Sequence, residues 1–327
     1  MNDRAASKPL VAVVGPTASG KSALGIFLAR EFGGEVVVCD STQVYRGFDI
    51  GTAKVTPEEQ QGIPHHLMDL CAPHEVFTAG EYRARALEVL RSLDTRGKLP
   101  VFTVGTGLYL RALLEGLSDA PQRSEELRER LRDSAERHGA EWLHRILRRL
   151  DREAAARIAP RDAPKLIRAI EVSLLSGRPI TELHRAGRPR LEGYTPLKIG
   201  LMPPREELYG RIEQRVDKML DTGWLGEVRA RLDEEFSPSA KPFQFIGYGE
   251  LREHINGRLS LSEAVHAIRQ ATRRYAKRQI TWFRKEPGVH WLNGFGENPE
   301  IQAAATGYLK QQLEAHTRFL STRQEAV

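Results

Sequence analysis

The chain has 327 residues, 40% hydrophobic and 28% charged, with a net charge of +6 and only two cysteines. That balance suits a soluble globular protein of one large or two ordinary domains and leaves little room for a disulfide framework or a cysteine-built zinc cluster. No apolar run approaches the roughly 18 residues of a membrane span, and the start "MNDRAASKPL" lacks the apolar centre of a secretory signal. A cytoplasmic location is therefore expected.

"PLVAVV", residues 9–14, is a short apolar run rich in β-branched residues that ends at Gly15, and reads as a buried strand entering a turn. The turn is "GPTASGKS": Gly15, Pro16, Thr17, Ala18, Ser19, Gly20, Lys21 and Ser22 match G-x-x-x-x-G-K-[ST]. Backbone N–H groups at such a loop and at the helix that follows bind phosphate; Lys21 adds a point charge and Ser22 offers a hydroxyl to magnesium. The loop implies a diphosphate or triphosphate, and it does not imply hydrolysis. Leu24, Phe27, Leu28 and Phe32 recur at helical spacing before Gly33-Gly34.

"EVVVCD" is a second strand ending at Asp40, where a carboxylate beside phosphate serves as a general base or a metal ligand. "IPHHLMD" sets His65 beside His66; adjacent residues diverge, so lining or shaping the site is the better expectation than a metal pair. Thr78 and Glu81 form a capping box that opens a helix reaching Gly97. "LPVFTV" is a third strand, followed by "GTGLYL" with Thr106 in reach of a phosphate oxygen. Strand, helix, strand, helix, strand is a parallel α/β arrangement with its site at the strand C-terminal ends.

From 116 to 195 strand signals give way to charged helices, and residues 123–190 hold 17 Lys/Arg against 11 Asp/Glu, so the rest of the chain is formally balanced. "PLKIGL", 196–201, resumes the strand pattern, which makes 116–195 a helical insertion in a core formed by 1–115 and 196–327. "LYGRIEQRVDKML" has an apolar stripe with Arg211, Arg215 and Lys218 on its flank, either a solvated edge or arginines reaching a diphosphate. "VHAIRQATRRYAKRQITWFRK", 265–285, carries seven Lys/Arg and no acid, interleaved with Tyr275, Trp282 and Phe283, a pattern that suits RNA backbone and unstacked bases. "VHWL", 289–292, is a last strand, and the tail beyond it is polar and weakly patterned.

"GPTASGKS", "DSTQVYRGFDIGTAK", "GIPHHLMD", "GTGLYLRAL", "IRAIEV", "RIEQRVDKML", "IGYGEL" and "TRRYAKRQITWFR" run in order through most of the chain. Together they resemble the tRNA dimethylallyltransferases, also called tRNA delta(2)-isopentenylpyrophosphate transferases. The resemblance implies a P-loop α/β core whose helical insertion grips the anticodon stem-loop. It implies a prenyltransferase that moves a dimethylallyl group from dimethylallyl diphosphate to N6 of adenosine 37 of tRNA, with magnesium, as a monomer. Asp40 becomes the general base, Thr106 and Arg215 serve the leaving diphosphate, and the 15–22 loop holds that diphosphate, with Ser22 on the metal. Implied tRNA contacts are Asp40, Ser41, Thr42, Gln43, Thr106 and Arg128; Pro164, Lys165, Leu166, Ile167 and Arg168; Gln244, Phe245, Ile246, Gly247, Tyr248 and Gly249; and Lys277, Arg278, Gln279, Ile280, Thr281, Trp282, Phe283 and Arg284. Three positions depart from the pattern: Val104 for a glycine, Thr42 for a common methionine and Gly249 for a basic residue.

Three other classes fit parts of the sequence. A P-loop small-molecule kinase needs no basic C-terminal helix. An adenylate isopentenyltransferase shares the donor and needs no RNA-sized surface. A non-catalytic RNA-binding protein needs no carboxylate at the phosphate site.

Overall fold

The computed structural model describes residues 7–186, 189–234 and 240–324, with side chains to residue 316. It divides into two compact units, Leu114–Leu191 and the remainder of the chain.

The larger unit is built on six parallel strands in the order β3-β2-β4-β1-β5-β6. These are β1 (Lys8–Val14), β2 (Glu35–Cys39), β3 (His65–His66), β4 (Pro100–Val104), β5 (Tyr194–Leu201) and β6 (Val289–Leu292). β1 lies between β4 and β5, with Val11 opposite Val101 and Leu197. Its last five residues are buried, as expected for a central parallel strand covered on both faces. Helices α1 (Lys21–Glu31), α2 (Ala79–Thr95) and α3 (Gly107–Glu115) follow β1, β3 and β4. The Thr78–Glu81 capping box is present at the start of α2. Val11, Val13, Leu24, Leu28, Val36, Val101, Ile199 and Leu309 share one core.

The smaller unit is helical: α4 (Glu125–His138), α5 (Ala140–Leu150), α6 (Arg152–Arg157), α7 (Ala163–Ser176) and α8 (Ile180–Arg185). Leu131, Leu143, Leu147, Leu166, Ile167 and Ile170 form its core. Ser124, Asp151 and Asp162 cap α4, α6 and α7, each side chain accepting an otherwise unpaired backbone N–H.

The chain returns to the larger unit at β5 and continues through α9 (Arg205–Asp221), α10 (Trp224–Asp233), α11 (Tyr248–Ile255) and α12 (Leu261–Phe283). They enclose a second core of that unit, with Tyr45, Phe48, Trp224, Phe243, Tyr248 and Ile268. The segment expected to be a weakly patterned tail instead forms α13 (Pro299–Gln324). Ala305 and Leu309 are buried against the sheet core while most of the neighbouring surface is polar, so the apolar stripe is too narrow to stand out in the sequence.

Candidate active site

β1 and β2 end side by side with β4, and their C-terminal ends open into a cavity of about 840 Å3. Thr17–Ser22, Asp40–Gln43, Arg215, Gln244–Ile246, Tyr275, Arg278 and Gln279 line it. Gly20, in the left-handed region at φ 83°, turns the chain into α1 so that the helix N-terminus faces the cavity. The loop is braced from outside, because Gly296 N–H donates to the Ser19 carbonyl at 2.9 Å. Ser19 is fully buried and its hydroxyl has no partner. Lys21 Nζ donates to the Pro16 carbonyl at 2.7 Å. Burial pushes the Lys21 ammonium down to about 7 against the opposing Asp40 carboxylate, and Arg215 adds to the depression. Burial likewise lowers Arg215, with Glu59 and Asp40 opposing.

Asp40 Oδ1 accepts the Thr42 backbone N–H at 2.8 Å and the Thr42 hydroxyl at 2.6 Å. The second bond exists because threonine stands at 42. Oδ2 lies over Gly105, where any Cβ would collide with it, so glycine at 105 is what admits the carboxylate. No ion pair joins Lys21, Asp40 or Arg215 to another side chain among the described residues, and all three line the one cavity.

A model of the IPP transferase family matches residues 43–286. The chain belongs to the IPP transferase family. It is 52% identical over 297 residues to the tRNA dimethylallyltransferase of Solibacter usitatus, covering 91% of this chain and 96% of that one. Among solved structures, the full-length tRNA isopentenylpyrophosphate transferase of Bacillus halodurans is similar at 35% identity and a TM-score of 0.71, over 96% of this chain and 99% of that one. A eukaryotic dimethylallyltransferase, solved acting on tRNA, is similar at 26% identity and a TM-score of 0.79, over 93% of this chain and 80% of that one.

The loop, Asp40 and Arg215 come together at the cavity, but several expected site residues stand elsewhere. Thr106 is not in the cavity lining; its hydroxyl accepts Ser41 N–H at 2.9 Å and donates to Ser41 Oγ at 3.1 Å, which fixes the segment after Asp40. Gln279 points inward rather than toward solvent. Tyr248 and Phe283 are core residues, and Ile280 packs beside Leu208 and Ile212. In the helical unit Leu166 and Ile167 are core, and Arg128 and Arg168 both bind the buried Glu171, while Pro164 and Lys165 stand in the first turn of α7. Gly247 and Gly249 flank Tyr248 at the start of α11, and Val104 is buried in the sheet.

α12 presents Arg274, Lys277, Arg278 and Thr281 to solvent, and the exposed Arg284 and Lys285 follow at its C-terminal end. With Arg111 and Trp282 most of them surround a depression of about 690 Å3, and the Arg111 guanidinium sits 4.5 Å from the Trp282 ring centre. Three other basic residues on α12 and α9 are committed within the protein: Arg269 pairs with Asp217, Arg273 with Glu213 at 2.6 Å, and Arg211 with Glu297. His65 and His66 do not line the cavity. They form β3 at the sheet edge, where His66 meets Glu35 at 2.7 Å.

Two contributors escaped the sequence reading. Glu227 accepts the N–H groups of Asp49 and Ile50, both at 2.8 Å, and the Tyr248 hydroxyl at 2.5 Å. Lys54 donates to the Tyr45 carbonyl and to Asp49, both at 2.6 Å. Together they shape the 43–55 segment that carries Gln43 to the cavity. Lys54 lies in the quoted "DIGTAK" stretch; nothing in the pattern around Glu227 marks it.

Among the described residues no three His, Cys, Asp or Glu side chains are grouped to hold a metal ion. Oxygen donors at the cavity include the Ser22 hydroxyl and the Asp40, Glu59 and Glu297 carboxylates. These hard oxygens suit a magnesium ion that takes most of its other ligands from phosphate and water.

Proposed function

We propose that this chain transfers the dimethylallyl group of dimethylallyl diphosphate to N6 of the adenosine beside the tRNA anticodon, releasing diphosphate. The observation that carries the reading is the single cavity in which the phosphate loop, Asp40 and Arg215 face one another. The relatives' names support the same reaction.

The exocyclic amine of adenine is a weak nucleophile because its lone pair is delocalised into the ring. In the reaction its nitrogen bonds to C1 of the allyl group while the C1–O bond breaks, and the electron pair leaves with diphosphate. Asp40 Oδ2, the oxygen Thr42 leaves free, takes the N6 proton as the new bond forms. Arg215, Lys21 and the amides at the start of α1 hold the charge that develops on the departing diphosphate, fixed in place before the reaction. Ser22 and the diphosphate oxygens would hold magnesium, which when bound adds further neutralisation of that charge. Apolar side chains of the lining, among them Ile212, Val216, Met219 and Ile246, suit the five-carbon tail. Thr106 acts through Ser41 in this scheme, orienting the loop that carries the base.

The exposed basic face of α12 supplies RNA-backbone contacts, and Trp282 with Arg111 offers a stacking platform. The helical unit provides Lys165 and other surface cations for the anticodon stem-loop. The chain acts as a monomer in this reading, since the cavity is complete within one copy. A reducing compartment, the cytoplasm, suits the two buried free cysteines. No helix among the described residues is long and apolar enough to cross a membrane.

The test is incubation with dimethylallyl diphosphate, magnesium and unmodified tRNA, followed by nucleoside analysis. Prenylated adenosine and diphosphate in equal amounts are expected. Consumption of ATP in place of the prenyl donor, or prenylation of free AMP and not of tRNA, would replace the reading with a kinase or an adenylate prenyltransferase.

A further inference from the structure

We propose that Gln279 is a positioning residue through which RNA docking on α12 tightens the diphosphate site. The proposal rests on the reaction proposed above.

Gln279 is 6% exposed, and both ends of its amide are used. Oε1 accepts the Thr17 N–H of the phosphate loop at 2.7 Å. Nε2 donates to the Gly105 carbonyl at 2.8 Å. Tyr275, one turn earlier, donates its hydroxyl to the same carbonyl at 3.2 Å. The inner face of α12 therefore grips two loops on which the reaction depends, one holding phosphate and one lying under Asp40 Oδ2. The outer face of the same helix turns Arg274 and Lys277 to solvent.

The chemistry of the bridge is demanding. Glutamate lacks the N–H donor that Gly105 requires, methionine has neither group, and asparagine is one methylene shorter. Thr17 N–H is committed to the helix and is not one of the amides left for phosphate. With α12 anchored by RNA on one face, the two loops on its other face lose freedom before the donor arrives. The donor then orders less on binding, which is positive coupling without any new contact to the ligand. By the same linkage the donor tightens RNA binding by an equal factor.

The experiment measures inorganic diphosphate binding, with magnesium, to the full chain by calorimetry in the absence and presence of saturating unmodified tRNA. The wild type is expected to bind diphosphate about 10-fold tighter with tRNA present, in the usual range of such couplings. Gln279→Met is expected to bring that factor close to 1, to keep tRNA affinity within about 3-fold, and to raise the donor KM more than it lowers kcat. Gln279→Glu, which retains the Thr17 acceptor, is expected to fall between the two. A wild-type factor of 1, or an unchanged factor in folded Gln279→Met, overturns the proposal. If Gln279→Met does not fold, the wild-type factor and Gln279→Glu decide. Wild-type protein that binds no tRNA overturns the underlying reading and the proposal with it; tRNA prenylation with no coupling overturns the proposal alone.

Discussion

Two clusters of charge, one in each unit, have opposite designs. In the helical unit the fully buried Glu171 receives Arg128 through two bonds of 2.8 Å, Arg168 at 2.6 Å and the Ser124 N–H at 2.8 Å. Burial alone would raise its carboxyl, but the arginines and the N–H outweigh that and hold it down at about 2. In the α/β unit Lys21, Asp40 and Arg215 face a cavity without pairing among the described residues. A carboxylate with every lone pair answered holds helices together. A carboxylate with one oxygen left open and two cations without an ion pair, all at one cavity, are what the proposed transfer requires. Charge content does not separate the two clusters; satisfaction does.

The difference can be broken at four points. The largest effect belongs to Asp40→Asn, which keeps an acceptor for Thr42 and removes the proton acceptor; kcat for tRNA prenylation should fall about 10²- to 10⁴-fold while tRNA affinity, measured by filter binding, changes little. Next is Glu171→Ala, which strands two arginines. It should cost about 3–5 kcal/mol in denaturant unfolding of the helical unit. Because the Glu171 pKa is lower folded than unfolded, its contribution is complete above the ordinary value of 4.5 and is lost as pH falls from there toward 2. Acid titration followed by circular dichroism should show Glu171→Ala losing its deficit relative to the wild type across that window.

Lys21 gives a smaller, pH-dependent effect. Its depressed pKa means that a bound anion, which favours the ammonium, must draw in a proton above about 7. Diphosphate affinity should therefore decline with rising pH above 7 by up to about 10-fold per unit in the wild type relative to Lys21→Arg, which has no such proton to gain. Calorimetry in buffers of different ionisation enthalpy reads the proton directly. The smallest effect belongs to the solvated charges. Arg274→Ala with Lys277→Ala should reduce the slope of log K against log salt for tRNA by about 1.5 and leave the melting temperature within a degree or two. Arg273 is a poor partner for that test, since its guanidinium already holds Glu213.

The sheet strands β1, β2, β4, β5 and β6 and the phosphate loop were legible because they are local: short apolar runs, of which β1, β2 and β4 end at glycine or aspartate. The two-residue β3 was not, having no run at all, and α13 hid its stripe among polar residues. At the site, Asp40 and Arg215 were legible as residue types in place. The destinations of hydrogen bonds were not. Gln279, Arg128, Arg168 and Arg273 are each polar residues in helices that carry many charges, and only the tertiary fold decides whether such a residue meets solvent or a buried partner. Glu227 and Lys54 shape the site by bonding backbone groups of a loop, which no side-chain pattern records.

The most direct test of this contrast is to measure melting temperature and single-turnover prenyl transfer, with tRNA and donor saturating, on the same two proteins. Asp40→Asn should lose transfer and melt above Glu171→Ala. Glu171→Ala should melt lowest and transfer at nearly the wild-type rate at temperatures where it is folded. An Asp40→Asn protein that transfers normally, or a folded Glu171→Ala protein that does not, would contradict the account.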